Sequence, residues 1–414
     1  MKEMLVDLLV IGAGPAGLAA ALAAAEAGVE RIVITERLEE PGGILQQCIH
    51  NGFGLRYFKE ELTGPEYAWR FIDRLAACPQ IQLKTGTMIT ELTSAKRATA
   101  VSAAEGLVYY RARAVVLAMG CRERPRGAIN IPGTRPAGVY SAGTVQRLMN
   151  VEGLLPGKRA VILGSGDIGL IMARRLTLEG VKVEAVLELL PYSSGLTRNV
   201  VQCLHDFEIP LYLSHTVTRI FGEQRISGIE ATPVDANRQP LFEQALRINC
   251  DTLILSVGLI PENELSRMAG VELDPLTGGP VVDADYHTNV PGIFGCGNVI
   301  HVHDLVDDVS EESQVTGRAV ARYLQTATAS TVGLAVRAGR NIRSVVPQSV
   351  ALDRPTTLYI RAAFPERDRL LRVGSRQQPL RVVTPGETIH WTVRPEDLNC
   401  REPEFLTISL EEGD

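Results

Sequence analysis

Two glycine clusters carry the most chemical information in this chain. Gly12-Ala13-Gly14-Pro15-Ala16-Gly17 follows the apolar run Leu8 to Ile11, and Gly164-Ser165-Gly166-Asp167-Ile168-Gly169 follows Ala160 to Leu163. In each, the first glycine permits a tight turn, the second lets backbone approach a diphosphate, and the third lets a helix pack closely on a strand. The diphosphate would rest on N–H groups at a helix N-terminus, where the dipole favours negative charge. Glu36 and Glu188 each stand 24 positions after their first glycine, at the end of a second apolar run. A carboxylate there accepts hydrogen bonds from ribose hydroxyls and repels a 2′-phosphate, so Glu188 favours NAD over NADP. A single G-x-G-x-x-G is weak, since an ordinary glycine turn explains it. Two copies with matching strands and acids mark two dinucleotide sites.

Other residues could act on what those sites hold. Cys48 and His50 lie on the loop after Gly42-Gly43. A redox role for Cys48 would need a lowered thiol pKa, and packing is the competing reading. His301 and His303 could serve as proton donors or charge stabilisers. As a metal pair they lack an evident third ligand, and alternate residues diverge on a strand, so no metal site is expected. Asp307, Asp308, Glu311 and Glu312 suit a helix start. Arg122, Arg124 and Arg126 crowd a connector, where they meet a phosphate or partner, or form a solvated face.

These groups need elements to position them. The first β-α-β unit covers about residues 4 to 37, followed by a helix from Pro65 to Ala77. Strands are expected at Ile81 to Leu83, Met88 to Thr90 and Leu107 to Tyr110, then a buried strand from Ala114 to Gly120. The second unit repeats the plan, with a helix from Asn199 to Phe207, a meander from Thr216 to Leu246, and a strand from Asp251 to Gly258. A helix is expected from about Ser310 to Leu324, and Gln325 to Thr331 reads as a linker. Beyond it, Thr357 to Arg361, Leu370 to Val373, Leu380 to Val383, Thr388 to Val393 and Phe405 to Leu410 are short strands between turns, a small all-β domain. Its Arg361, Arg369, Arg372 and Arg381 read as a contact surface. The fold class is therefore α/β, with two Rossmann-like domains bearing β-meanders and a C-terminal β domain. The expected divisions are 1–122 with 283–325, 137–282 inserted between them, and 332–414.

The 414 residues suffice for several cores, and the net charge of −6 without a basic cluster excludes a nucleic-acid partner. Lys2, Glu3 and Asp7 interrupt the apolar start and no later stretch could span a membrane, so a cytoplasmic protein is expected. The seven cysteines include no CxxC pair, which argues against a disulfide framework or an iron–sulfur cluster.

The ordered set of both fingerprints, the Ala118-Met119-Gly120 and Gly258 strand ends, and Gly292-Ile293-Phe294 with Gly297-Asn298 resembles the two-dinucleotide-binding-domain flavoproteins, the pyridine nucleotide-disulfide oxidoreductase superfamily. The resemblance covers roughly residues 1 to 325. It implies FAD in the outer domain, held by Gly12, Gly14, Pro15, Ala16, Gly17, Glu36, Arg37, Gly43, Ala118, Gly120, Gly297 and Asn298. It implies NAD in the inner one, held by Gly164, Gly166, Asp167, Ile168, Gly169, Glu188 and Gly258. Cys48, His50 and His303 are the catalytic candidates. The chain departs from the family at Asn298, where Asp is usual, and in lacking the redox cysteine pair.

The residues from Gly42 to Gly54, Gly120 to Arg126 and Asn298 to Asp307 are similar to a subgroup without that pair. It includes glycerol-3-phosphate-dehydrogenase-associated oxidoreductases and the flavoprotein subunits of opine, proline and hydrogen-cyanide-forming amine dehydrogenases. The resemblance implies an FAD-dependent NADH oxidoreductase that passes electrons to a partner redox subunit, flavoprotein or iron–sulfur, or to a small acceptor, and that works as an oligomer. Alternatives are the flavoprotein subunit of an amine, opine, proline or glycerol-3-phosphate dehydrogenase complex, or a flavin-binding assembly subunit with structural nucleotide sites.

Overall fold

A computed structural model describes residues 3–326, 333–398 and 405–412. The chain forms two compact units, one of Met1–Cys121 with Pro261–Asp414 and one of Arg122–Ile260.

In the first unit, β1 (Glu3–Ile11) runs into α1 (Pro15–Glu26) and returns as β2 (Ile32–Thr35). The apolar run makes β1 a central strand buried on both faces. It pairs in parallel with β2, and on its other side with β3 (Gly106–Leu117) over Glu3↔Tyr109 to Ile11↔Leu117. β3 serves two neighbours along its other edge. Its first half pairs antiparallel with Arg97–Ser102. Leu107 to Tyr110 and Ala114 to Leu117 are thus one twelve-residue strand rather than the two expected, and Arg97–Ser102 is a further strand beyond those expected. The alternating half carries the meander and the wholly apolar half enters the parallel sheet.

The second unit repeats the plan. β4 (Arg159–Leu163), α2 (Asp167–Leu178) and β5 (Lys182–Leu187) form the β-α-β, and β6 (Thr252–Leu255) lies beside β4. Val139–Ser141 and Leu211–Tyr212 complete a five-stranded parallel sheet. Its meander is His215–Phe221, Gly228–Pro233 and Leu246–Ile248. The connector residue Ile131 joins this core beside Val161 and Leu187.

The chain then returns to the first unit. β7 (Ile293–Gly295) pairs in parallel with the apolar end of β3, and α3 (Val306–Thr326) packs on α1. Alanines 19–21 and 23–25 make α1 smooth, and a Cβ on Gly317 would lie 2.2 Å from the Ala20 carbonyl oxygen, so a larger side chain would force the helices apart. Residues 261–282, expected with the inner unit, belong here. Asn263 donates to the Val299 and Gly278 carbonyls, and Val271 and Val282 share a core with Leu9 and Val115. Gln325 and Thr326 close α3; the rest of the expected linker, through Thr331, and Cys400 lie outside the described residues.

The C-terminal region is all-β, as expected. A five-stranded and a three-stranded sheet enclose Val350, Leu358, Ile360, Leu371, Ile408 and Leu410, all fully buried. Leu334–Ala338 and Ile342–Val346 add strands beyond those expected.

Candidate functional site

At the outer fingerprint Gly12 adopts φ +107°, and a Cβ there would lie 2.4 Å from the Ala118 carbonyl oxygen. A Cβ on Gly17 would lie 1.9 Å from the Gly12 carbonyl, whereas Gly14 faces open space. The turn thus packs tightly on strand and helix while leaving the second glycine bare, as a diphosphate cradle requires. Pro15 occupies the first turn of α1, where a missing N–H costs nothing. Buried Glu36 accepts from the Ala13 and Leu38 amides, both at 2.9 Å, one on each carboxylate oxygen. About two acceptor positions therefore remain for ribose hydroxyls. Gly42 and Gly43 return to the turn: the Gly42 amide donates to the Ala13 carbonyl at 2.7 Å, and a Cβ on Gly43 would lie 3.0 Å from Gly14 Cα. Gly120, at φ +71°, opens to space; Arg37 is exposed. These residues fit an FAD.

The inner fingerprint has the same backbone and different surroundings. Gly164 adopts φ +104° with its missing Cβ 2.0 Å from the Ser256 carbonyl oxygen, Gly169 would meet the Gly164 carbonyl at 2.7 Å, and the nearest atoms to a Cβ on Gly166 would lie 3.9 Å away. Buried Glu188 holds four donors: the Ser165 amide (3.0 Å) and hydroxyl (2.6 Å), the Ser194 hydroxyl (3.2 Å) and the Leu190 amide (2.9 Å). Three of those donors crowd Oε2, whereas Oε1 holds only the Leu190 amide and keeps about one acceptor position. A ribose hydroxyl can therefore reach Oε1 but would displace a serine at Oε2, a cost absent at Glu36, which keeps a position on each oxygen. Asp167 begins α2, its Oδ1 accepting from the Leu196 amide (2.8 Å) and from Asn199 (2.7 Å). Ile168 packs beside the inner core, and Gly258 is open at φ +100°.

The late segment closes on the outer fingerprint. Gly297, at φ +72°, leaves room for Ala16: a Cβ there would lie 2.7 Å from the Ala16 Cβ. Asn298 Oδ1 accepts from both the His303 amide (3.0 Å) and its ring Nδ1 (3.2 Å), and its Nδ2 points at Cys121 Sγ, 3.7 Å away. His301 and His303, expected to diverge, converge because the segment is a loop and not a strand. Their rings lie 3.9 Å apart, and each Nε2 is 3.1 Å from Oε2 of Glu312, whose Oε1 accepts the Gly297 amide at 2.7 Å. Burial alone would raise the Glu312 pKa, but the two imidazoles more than offset it and bring it down to about 2. Burial, with His303 beside it, pushes His301 down to about 4.

Glu312, expected to serve a helix start, lies inside α3 instead, and the acids of that helix reach other segments. Asp307 accepts from the Gly54 and Arg56 amides, and Asp308 pairs with Arg56 at 2.6 Å. The expected start at about Ser310 puts Glu312 in the first turn; the helix begins instead at Val306, which leaves Glu312 too deep to cap it. Arg361, expected on a contact surface, turns inward to Asp304 (2.6 Å) and the Val302 carbonyl (3.0 Å), and Thr388 also donates to Asp304. Arg369 and Arg372 pair within their own module, with Glu366 and Glu411. The Cys48 thiol donates to the Ile44 carbonyl of its own turn (3.3 Å). His50 stacks on Phe53 at 4.9 Å, so both candidates make contacts within their own loop. Arg126 closes its connector on the Ile131 and Thr134 carbonyls.

A profile of the family described as pyridine nucleotide-disulphide oxidoreductase matches residues 6–333. An opine oxidase subunit of Agrobacterium tumefaciens is 26% identical over 333 residues, covering 76% of this chain and 64% of that protein. An alkyl hydroperoxide reductase subunit of Pseudomonas aeruginosa is 29% identical over 304 residues, covering 72% and 54%. The chain thus spans between about half and two-thirds of the length of these curated relatives. Among solved structures, thioredoxin reductase of T. acidophilum superposes with a TM-score of 0.63 at 22% identity, over 77% of this chain and 98% of that one, which shows the shared fold. The chain belongs to the pyridine nucleotide-disulphide oxidoreductase family, FAD- and NAD(P)-binding oxidoreductases.

Proposed function

We propose that this chain is an FAD-dependent NADH oxidoreductase that reduces its flavin with NADH and hands the electrons to a partner redox subunit or a small acceptor. The observation that carries the reading is the duplicated turn. Both units hold a positive-φ first glycine, packed third glycine and bare second glycine. The bound cofactors would supply hydride transfer from nicotinamide to flavin; the chain's residues bind, orient and exclude water. That half-reaction needs no protein acid or base. Cys48 and His50 are therefore candidates for the onward transfer, and His303, held at both ring nitrogens, is a positioning residue for the Asn298 loop. With no CxxC in the sequence, disulfides such as oxidised thioredoxin are not the proposed acceptors.

The second reading is a flavoprotein subunit that oxidises an amine or hydroxy substrate inside a larger complex. Its support is specific: Glu188 Oε2 is crowded by two serines and Asp167 places a carboxylate at the inner helix N-terminus, and two of the relatives are named as subunits. Both readings place the protein in the cytoplasm; among the described residues no helix is long and apolar enough to cross a membrane. Anaerobic mixing with NADH separates them. Flavin bleaching within a turnover, faster with NADH than NADPH, supports the first; flavin that stays oxidised until an amine or hydroxy acid is added refutes it.

A further inference from the structure

We propose that His301, His303 and Glu312 form a binding site for a divalent transition-metal cation of borderline softness, such as Zn2+, that fastens the Asn298–Asp304 loop to α3. The three prospective ligand atoms lie within 4.8 Å of one another, and both Nε2 atoms stand 3.1 Å from Glu312 Oε2. Bonds of about 2.0–2.1 Å in a tetrahedron separate ligand atoms by roughly 3.3 Å, so the two Nε2–Oε2 separations already suit an ion, and the atoms farthest apart would close by up to roughly 1.5 Å to bind it.

Hydrogen-bond accounting strengthens the geometry. The His303 backbone amide, a donor, fixes Oδ1 as the Asn298 atom facing it, and ring Nδ1 shares that oxygen. Nδ1 therefore carries the proton, which in a neutral ring leaves the Nε2 lone pair facing a carboxylate oxygen, acceptor against acceptor. A cation between them resolves the conflict, taking the place of the second ring proton that would otherwise make His303 an imidazolium paired with Glu312. The site is also dry and braced. The side chains of Glu312, His303 and His301 are 0%, 2% and 10% exposed, and a buried carboxylate is costly unless it is paired or ligates a metal. The atoms not aimed at the site are anchored, Nδ1 of His303 to Asn298 and Oε1 of Glu312 to the Gly297 amide, as outer partners of metal ligands usually are. Tyr359 closes it from the C-terminal module, its ring 5.4 and 5.5 Å from the two imidazoles. Two imidazoles and one carboxylate suit Zn2+ or Fe2+ and not Mg2+ or Ca2+, which take oxygen ligands. Three protein ligands leave a fourth position for water.

The test uses the full chain as purified, stripped with a chelator, incubated with micromolar Zn2+, desalted and assayed for metal. About one Zn2+ per chain is expected. His301→Gln and His303→Gln should abolish retention while circular dichroism shows the fold intact, and Asn298→Ala should weaken affinity about 10- to 100-fold. Imidazole nitrogen NMR of the Zn-loaded chain should show His303 protonated at Nδ1 alone. Retention of less than about a tenth of an ion per chain, equal retention by the double His variant, or a doubly protonated His303 in the presence of Zn2+ would overturn the proposal.

Discussion

The two fingerprints fold alike and are furnished differently. Each first glycine takes nearly the same φ, +107° and +104°, and each presses on a strand carbonyl, that of Ala118 or Ser256. The acids differ: Glu36 holds one backbone donor on each oxygen and keeps capacity on both, while Glu188 has its Oε2 taken by Ser165 and Ser194 and keeps capacity only on Oε1 beside Leu190. The helix starts differ as well, with uncharged Pro15 in one and Asp167 in the other. Turn geometry is thus set by glycine sterics, whereas affinity is set by which lone pairs and charges remain for the ligand. The outer site should hold its dinucleotide tightly and the inner one exchange it.

The largest effects should come from the first glycines. Gly12→Ala and Gly164→Ala combine a strained φ with a backbone clash, and each should destabilise its own unit by about 3 kcal/mol or more. Hydrogen exchange should show deprotection confined to residues 3–35 in one variant and 159–187 in the other; a uniform loss would mean that the two turns are not separate local features.

Next come the second glycines, which separate binding from folding. Gly14 and Gly166 have ordinary φ of −74° and −67°, with open space at the Gly14 Cβ position and only 3.9 Å contacts at that of Gly166, so alanine should fold there without loss. Gly14→Ala should release FAD on gel filtration. Gly166→Ala should keep its yellow colour and weaken NADH binding by about tenfold, roughly 1.4 kcal/mol. An inner variant that loses flavin would break the assignment of ligands to units.

A charge swap sharpens the comparison further. Removing the Asp167 carboxylate from the helix N-terminus in Asp167→Asn, which can still accept from Leu196 and Asn199, should tighten NADH about three- to fivefold, on the order of 1 kcal/mol. Pro15→Asp should weaken FAD by a similar factor. Calorimetric titration reads both, and weaker NADH binding by Asp167→Asn would show that Asp167 serves the ligand.

What is legible in the sequence follows from this division. Glycine spacing reports backbone sterics that are local, so both turns, their strands and α1 can be read directly, as can the meanders in outline. Glu188 can be placed at its strand end from spacing alone, but not the crowding of its Oε2, because Ser194 reaches it from a loop with no periodic signature. Glu312 escapes because its partners, His301 and His303, sit on a loop whose path depends on packing against Tyr359 from a distant module. Arg361 is misplaced for the same reason: its partner Asp304 is 57 positions away in the chain.

The smallest predicted difference concerns how each unit braces its sheet. Asp7 is held by side chains. Its carboxylate bonds Arg31 at 3.0 Å and Arg113 at 3.2 Å, and the Arg31 hydrogen bond, opposed by burial, holds its pKa below the usual carboxylate range. Both arginines are more than half exposed, so the pair should contribute only about 0.2–1 kcal/mol, screened by salt. Asp251 is held by backbone. Burial would raise its pKa, but the Arg159 and Lys158 amides and the Thr252 hydroxyl outweigh it and lower the value. A carboxylate depressed in the folded state stabilises above its unfolded pKa of about 3.9 and loses that contribution as pH falls through the folded value. Both effects should therefore be complete at neutral pH and fade below about pH 4. They part on salt. Raising ionic strength from about 0.1 to 1 M shortens the Debye length from about 10 to 3 Å and should erase the cost of Asp7→Asn, while Asp251→Ala should still cost about 1–2 kcal/mol, read as amide exchange at residues 158 and 159. Equal salt sensitivity of the two variants would mean that the inner unit, like the outer, rests this corner on charge and not on directed backbone hydrogen bonds.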